Sequence, residues 1–195
     1  MDKKMKRIYK PRDFYRLVED VLCSAGASRK LPKEERISKT FQERIMMAVT
    51  EVNGCRYCSY FHTRVALQAG LGMNEIRQTL TGDFNDAPPD QLSALYFAQH
   101  YAESQGYPAQ DAIKCMEDEY GKVRTNAILA YIRAIMVGNA WGNMLDALGM
   151  RLKGQPYSDQ TMADELAVVF GVIALMPILI AKHIYQRVVA NFATS

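Results

Sequence analysis

Two cysteines and a histidine lie close together in the first third of this 195-residue chain, in the segment Cys55-x-x-Cys58-x-x-x-His62. Thiols three residues apart on a helix can close a disulfide, and an imidazole four residues further on lies on the same helical face. The imidazole can accept a thiol proton, directly or through a water, and leave the thiolate that is the reactive form of cysteine. The spacing therefore predicts a dithiol site that carries out thiol–disulfide redox chemistry.

The residues around this segment add to the prediction. Asn53-Gly54 is typical of a helix end, so Cys55 is expected at the N-terminus of the next helix. Unpaired backbone N–H groups and the helix dipole favour negative charge there, which lowers the pKa of a thiol. Ala66 and Ala69 continue the reactive face with small side chains, so a neighbouring helix can approach closely and shelter the site.

A histidine that acts as a base needs a group that orients it, and a carboxylate is the usual one. If the helices before and after Gly54 form an antiparallel hairpin, the positions of Glu43 and His62 along the helix axes differ by only about 4–5 Å. Glu51 lies level with the cysteines and is a candidate modulator of the thiols. However, Glu43 points almost opposite the apolar stripe of its own helix, and a solvated glutamate is the competing interpretation.

A zinc site is an alternative interpretation of the same motif. Cys55, Cys58 and His62 would supply three ligands from one helix face. The fourth ligand would come from one of three residues elsewhere in the chain: Glu43, His100 or Cys115. Because no second C-x-x-C or histidine pair accompanies the motif, we expect no metal.

Other cysteines and histidines give weaker signals. Cys23 and Cys115 each stand alone and are predicted to be small buried hydrophobic residues rather than reactive thiols. His100 and His183 are lone histidines within helical segments and are predicted to be ordinary surface or core residues.

A polar stripe interrupts the long apolar segment of the second half. Asn139, Asn143 and Asp146 follow one another at the spacing i, i+4 and i+7, on one helix face. Because buried polar groups need partners, the stripe is predicted to face either a subunit contact or the site.

The hydrophobic pattern is helical almost throughout, and no convincing run of alternating strand character occurs. Breaks that contain glycine or proline separate the predicted helices. In the first half, the helices cover about 12–22, a segment that ends at Asn53-Gly54, about 55–69, and a short helix that Asn74 caps and that reaches about 81. In the second half, they cover about 89–104, a segment from Gly106 to about 120, a long segment to Gly149, and the remainder after the break at 153–156. We predict an all-α fold with a basic N-terminal segment and short helix over 1–31 and a single domain over 32–195.

Composition excludes several classes of protein. Hydrophobic residues make up 49% of the chain and charged residues 23%, which excludes a mainly disordered chain. The net charge of +3 is too small to indicate nucleic-acid binding, although six of the first twelve residues are basic and predict a solvated segment. Because the start does not resemble a signal peptide, a reducing, cytoplasmic location is expected.

One segment could contact a membrane. The sixteen residues from Leu166 to Ala181 carry no charge. A helix of this length spans roughly 24 Å, which is short of a hydrocarbon core of about 30 Å. The segment is therefore predicted to be a buried helix or a subunit interface, and no membrane span is expected.

Glu43, eleven intervening residues and then Cys55-x-x-Cys58-x-x-x-His62 resemble the signature of the carboxymuconolactone decarboxylase and alkylhydroperoxidase D superfamily. The neighbouring residues agree with this resemblance over about 40–82. One position departs from it, because the alkylhydroperoxidase D proteins have a second histidine between the cysteines where this chain has Tyr57. Tyr57 is therefore a further candidate modulator of the thiols.

The resemblance implies an alkylhydroperoxidase D-like helical bundle that forms obligate homo-oligomers, commonly trimers or hexamers. It also implies a peroxidase cycle in which Cys58 attacks the peroxide and Cys55 resolves the sulfenate into a disulfide. His62 and Glu43 would form the proton relay.

The partners implied are a peroxide or another small molecule as substrate and a dithiol or lipoyl-type electron donor, with no cofactor. The decarboxylase branch of the superfamily generally lacks the cysteine pair, so the two thiols favour redox chemistry. A lyase acting on a lactone acid and a non-catalytic, redox-sensing helical oligomer remain the alternatives.

Overall fold

A computed structural model describes residues 6–193, with side chains for all of these except 175, 176, 182, 183 and 185–193. This part of the chain contains seven α-helices, a few short 3-10 turns and no strand, which confirms the all-α prediction. The helices are α1 (Pro11–Ser24), α2 (Lys39–Asn53), α3 (Arg56–Gln68), α4 (Met73–Thr79), α5 (Leu92–Glu103), α6 (Gln110–Leu152) and α7 (Met162–Ala193).

Local signals set the ends of the helices that carry the motif. The Ser38 hydroxyl accepts the backbone N–H of Phe41 and caps α2, as short polar side chains commonly do. Gly54 ends α2 with a left-handed backbone, φ 66°, which glycine adopts without strain. This sharp end leaves Cys55 as the N-cap residue of α3.

The prediction that Asn74 caps the short fourth helix is wrong. Gly72 takes the cap position in an extended conformation, and the helix begins at Met73. Asn74 therefore lies one residue inside the first turn, because the chain leaves the turn around Gly70 earlier than the position of the polar side chain suggests.

The core lies between α2, α5 and α6, with α3 packed on the outer side of α2. Phe41 and Ile45 of α2 meet Leu95 of α5 and Ile132 of α6 in one cluster of buried side chains. Helix α1 packs on α6 and α7 and contributes Phe14 to the same cluster. Residues 9–31 thus share the core of the residues that follow them.

Helix α6 is a long element with one break. Its backbone leaves the helical region at Gly121, where φ is 73° and ψ is 153°. This break coincides with the predicted helix end at about 120, and the helix after it continues past Gly149 to Leu152. The unbroken second part brings the polar stripe of α6 to the end of α2.

Helix α7 contains the uncharged segment 166–181 and packs along α1 and α6. The Trp141 indole N–H donates to the carbonyl oxygen of Val169 at 3.1 Å, and the Tyr15 hydroxyl donates to that of Ala167 at 2.6 Å. The Arg151 guanidinium pairs with the buried carboxylate of Glu165. Across the described residues, no helix has the length and hydropathy needed to cross a membrane.

Candidate active site

The two thiols of the motif meet at the start of α3. The Sγ atom of Cys55 accepts the backbone N–H of Cys58 at 3.3 Å, in the manner of an N-cap side chain. The two Sγ atoms lie 2.7 Å apart, which is longer than the roughly 2.05 Å of a disulfide bond. Both cysteines are free and are placed to form a disulfide with each other.

The two thiols differ in charge and in access. The hydrogen bond between the two thiols lowers the pKa of Cys55, burial acts against it, and the backbone N–H groups of Cys58 and Tyr57 lower it further. The same hydrogen bond, burial and repulsion by a Cys55 thiolate raise the pKa of Cys58. The first proton therefore leaves Cys55, whose side chain is buried, whereas Cys58 is partly exposed.

The predicted partner of His62 is in place. The Nδ1 atom of His62 lies 2.7 Å from Oε2 of Glu43, and the Lys39 ammonium lies 2.8 Å from Oε1. Burial acts to raise the pKa of Glu43, but hydrogen bonds from His62 and Lys39 outweigh it and hold the pKa below its usual value. A carboxylate on Nδ1 fixes the ring with its proton on that atom, so Nε2 is left to accept a proton.

The interpretation of Glu43 as a solvated residue is wrong, because only 1% of it is exposed. The face of α2 opposite the apolar stripe is covered by α3, whose His62 is itself buried. The hairpin thus has two buried faces, one apolar and one polar.

Glu51 and Tyr57, the two candidate modulators, lie in different surroundings. The Glu51 carboxyl carbon is 3.7 Å from the place that a Cβ on Gly82 would take, next to the loop after α4. Tyr57 is half-exposed, and its hydroxyl accepts a hydrogen bond from Arg56 at 2.9 Å. Their effect on the thiols stays a prediction.

The polar stripe of α6 faces the turn that carries the dithiol. The Thr50 hydroxyl donates to Oδ1 of Asn139 at 3.1 Å. The Nδ2 atom of Asn143 donates to the carbonyl oxygens of Asn53 at 2.8 Å and Arg7 at 3.0 Å. The sequence predicts that the stripe faces either a subunit contact or the site, and in the structure it lies beside the site.

Asp146, the last residue of the stripe, joins the N-terminal segment to the start of α3. Its buried carboxylate pairs with the Lys6 ammonium and the Arg56 guanidinium and accepts the Tyr157 hydroxyl at 2.9 Å. Burial acts to raise the pKa of Asp146, but hydrogen bonds from Lys6 and Tyr157 hold the pKa below its usual value. The prediction of a solvated basic segment is therefore wrong for Lys6, and residues 1–5 lie outside the described part.

Gly142 is a residue of the site that sequence reasoning missed. A Cβ atom at this position would lie 2.8 Å from Sγ of Cys55 and 3.7 Å from Sγ of Cys58. The absence of a side chain therefore lets α6 pack directly on the dithiol. The available signal was a glycine inside the polar stripe of a helix, where glycine is otherwise unfavourable.

We expect Gly142→Ala to slow formation of the Cys55–Cys58 disulfide and to lower the free energy of unfolding by about 1–3 kcal/mol, as overpacking does. The matched control is Gly138→Ala, one turn earlier, whose new Cβ would meet only the Ile135 Cδ1 atom at 3.8 Å. This control should oxidise normally and gain roughly 0.5–1 kcal/mol of stability. Urea unfolding and the rate of thiol loss measure both effects, and equal behaviour of the two variants would refute the steric role.

The prediction that Cys23 and Cys115 are buried is wrong. Both side chains are exposed, because they lie on the solvent side of α1 and α6. His100 accepts the backbone N–H of Ala109 at 3.3 Å, which is an ordinary structural role. The side chain of His183 lies outside the described residues.

An open cleft of about 900 Å³ lies beside the start of α3. Val52 and Arg56, which flank the turn with Cys55, form part of its wall, and Lys6, Asp146 and Tyr157 form another part. The cleft gives a small molecule room next to the turn between α2 and α3, although neither Cys55 nor Cys58 lines it. Within residues 6–193, no His, Cys, Asp and Glu side chains form a group of three or more that could hold a metal ion.

Comparison with known proteins gives one family. Residues 16–87, which include the whole motif, match the model of the carboxymuconolactone decarboxylase family. Neither a curated protein nor a solved structure matches the chain. This family includes both alkylhydroperoxidase D-like peroxidases and decarboxylases. The segment 16–87, whose helices carry the Glu43–His62 pair and the two thiols, is thus similar to the carboxymuconolactone decarboxylase family.

Proposed function

We propose that this chain is a thiol-dependent peroxidase that uses Cys55 and Cys58 as a redox-active pair. The observation that carries the proposal is the 2.7 Å separation of the two Sγ atoms at the N-terminus of the helix that also carries, four residues after Cys58, a histidine held by a buried carboxylate. A thiolate needs stabilisation to form near neutral pH, and a second thiol within reach turns one oxidation into a disulfide.

Cys58 is the proposed attacking residue, because Cys55 is only 1% exposed and lies beneath Gly142. The anionic pair holds one proton between two adjacent sulfurs, so transfer of that proton to Cys55 gives the Cys58 thiolate. This thiolate attacks a peroxide oxygen, and the O–O bond breaks as two electrons pass from sulfur to the peroxide. Cys58 becomes a sulfenic acid, and a protonated His62 gives the leaving alkoxide its proton.

Cys55 then completes the cycle. Its thiol loses a proton, and the sulfur attacks the Cys58 sulfenic acid, which releases hydroxide; hydroxide takes up a proton and leaves as water. The balance is one dithiol and one peroxide in, one disulfide, one alcohol and one water out. A dithiol or lipoyl-type donor supplies the two electrons and two protons that restore the pair.

We further propose that the chain acts in the cytoplasm as a homo-oligomer, a trimer or hexamer as the resemblance implies.

Peroxide consumption tests the proposal against the alternatives. Wild-type protein with dithiothreitol or dihydrolipoamide should consume hydrogen peroxide or an alkyl hydroperoxide over many turnovers, and the double variant Cys55→Ser, Cys58→Ser should not. A lyase would keep its activity on a lactone acid in the double variant. Protein that forms the disulfide once but turns over with neither donor would instead be a redox sensor.

A further inference from the structure

The outer face of α7 exposes a row of large apolar side chains. The members lie at spacings of four, three, four, three and four residues: Leu166, Phe170, Ile173, Pro177, Ile180 and Ile184. Phe170 is 57% exposed and Ile173 is 71% exposed. We call this row the α7 seam. It lies outside the segment that matches the family model.

The opposite face of α7 already packs on the rest of the chain. Val168 and Val169 are buried in the core, and Trp141 and Tyr15 bond to the α7 backbone. The folded body thus holds α7 in place and leaves the α7 seam pointing outward. Large apolar rows of this kind are uncommon on the surface of monomeric proteins.

The spacing of the α7 seam selects the kind of partner. Apolar residues that alternate at intervals of three and four have an average period of 3.5, which is the repeat of two helices that wrap around each other. The row spans nearly three such repeats, roughly 27 Å of helix. Because α7 is anchored on its inner face, its helix does not depend on the partner to form.

The residues beside the α7 seam fit a second copy of the same helix. Ala167, Ala174 and Ala181 recur every seven residues along one edge of the seam and are exposed. Small side chains at this edge let two helices approach closely. Since the chain carries no charge from 166 to 181, two identical helices would meet without repulsion between like charges.

The charged residues at the two ends of the uncharged segment favour an antiparallel arrangement of the two α7 helices. An acidic residue, Asp164, precedes it and a basic residue, Lys182, follows it. In an antiparallel pair, the acidic end of one helix lies level with the basic end of the other. A lipid surface fits less well, since helices that lie on membranes carry basic residues on the face opposite the apolar one, and here the opposite face is buried in protein.

We propose that the α7 seam is the docking surface for α7 of a second copy of this chain, in an antiparallel helix pair. The interface is independent of the redox chemistry, since none of the α7 side chains that the structure describes contributes to the dithiol site. The α7 seam is thus an association surface that lies outside the segment matching the family model.

The test measures the molar mass of the full chain by light scattering and sedimentation over a range of concentrations. Wild-type protein should associate, and Ile173→Glu should weaken the association about 100-fold or more, because each pair would bury two charges. Ile173→Ser, a milder change, should weaken it in the same direction. The matched control is Tyr60→Glu on α3, whose side chain is 69% exposed outside the α7 seam.

Circular dichroism and disulfide formation by the Cys55–Cys58 pair verify that each variant is folded. A wild-type protein that stays monomeric at the highest concentration overturns the proposal, and so does association that is as strong in Ile173→Glu as in the wild type. Flotation with vesicles of phosphatidylcholine and phosphatidylglycerol tests the alternative partner, which is a lipid surface. Wild-type protein that binds these vesicles through Ile173 without self-association also overturns it.

Discussion

Cys58→Ser should abolish peroxide reduction, whereas Cys55→Ser should reduce one peroxide per chain and stop with a sulfenic acid on Cys58. Cys58 is the accessible sulfur, and without it the buried Cys55 has no path to a peroxide. Without Cys55, the first oxidation has no thiol to resolve it. Single-turnover peroxide consumption and mass spectrometry after labelling with dimedone distinguish the two outcomes.

The electrostatics of the pair sharpen this prediction. In the wild type, the hydrogen bond with Cys55, burial and repulsion by the Cys55 thiolate raise the pKa of Cys58. Cys55→Ser removes the thiolate, so the pKa of Cys58 should fall and its alkylation by iodoacetamide at neutral pH should become faster. The matched control replaces the exposed thiols Cys23 and Cys115 by serine, which should change neither rate. Peroxide reduction that survives Cys58→Ser but is lost in Cys55→Ser would reverse the assigned roles.

The second large effect is expected at the proton relay. His62→Gln should lower the rate of peroxide reduction by about 10²–10⁴-fold, which is the usual contribution of a positioned acid or base. Glu43→Gln should lower it less, because the imidazole remains but loses the carboxylate that fixes its proton on Nδ1. Lys39→Gln is the matched control, since Lys39 contacts the outer oxygen of Glu43 and is largely exposed. It should have the smallest effect of the three.

The pH dependence follows from the lowered pKa of Glu43. Hydrogen bonds from His62 and Lys39 keep the carboxyl ionised at pH values where an ordinary glutamate is protonated. The difference in rate between wild type and Glu43→Gln should therefore persist as the pH falls below the usual glutamate pKa. It should disappear only below the folded pKa, where the wild type loses the carboxylate as well. Equal rates of the two proteins at neutral pH would show that Glu43 does not position the imidazole.

Short-range features of the site could be predicted from the sequence. The Asn53-Gly54 break fixes the end of α2, and counting residues from that break is enough to place Glu43 near His62. The same local signals could not show that Glu43 is buried. Its burial depends on the packing of α3 over the polar face of α2, and one helix pattern cannot reveal what covers its outer side.

Long-range features of the site could not be predicted. Gly142 lies more than eighty residues beyond Cys55, and only the packing of α6 on the hairpin brings its backbone to the sulfur. Lys6 reaches Asp146 for a similar reason, since the segment before α1 crosses the end of α2. Residue type misled in the case of Cys23, because a cysteine is usually buried but this one lies on the solvent side of an amphipathic helix.

The most direct test of the central claim is peptide mapping by mass spectrometry after the reduced protein meets one equivalent of peroxide. The proposed chemistry predicts a single new cross-link, Cys55–Cys58 within one chain, with Cys23 and Cys115 still present as thiols. A product in which Cys55 and Cys58 both remain reduced, or in which oxidation falls first on the exposed Cys23 and Cys115, would contradict it.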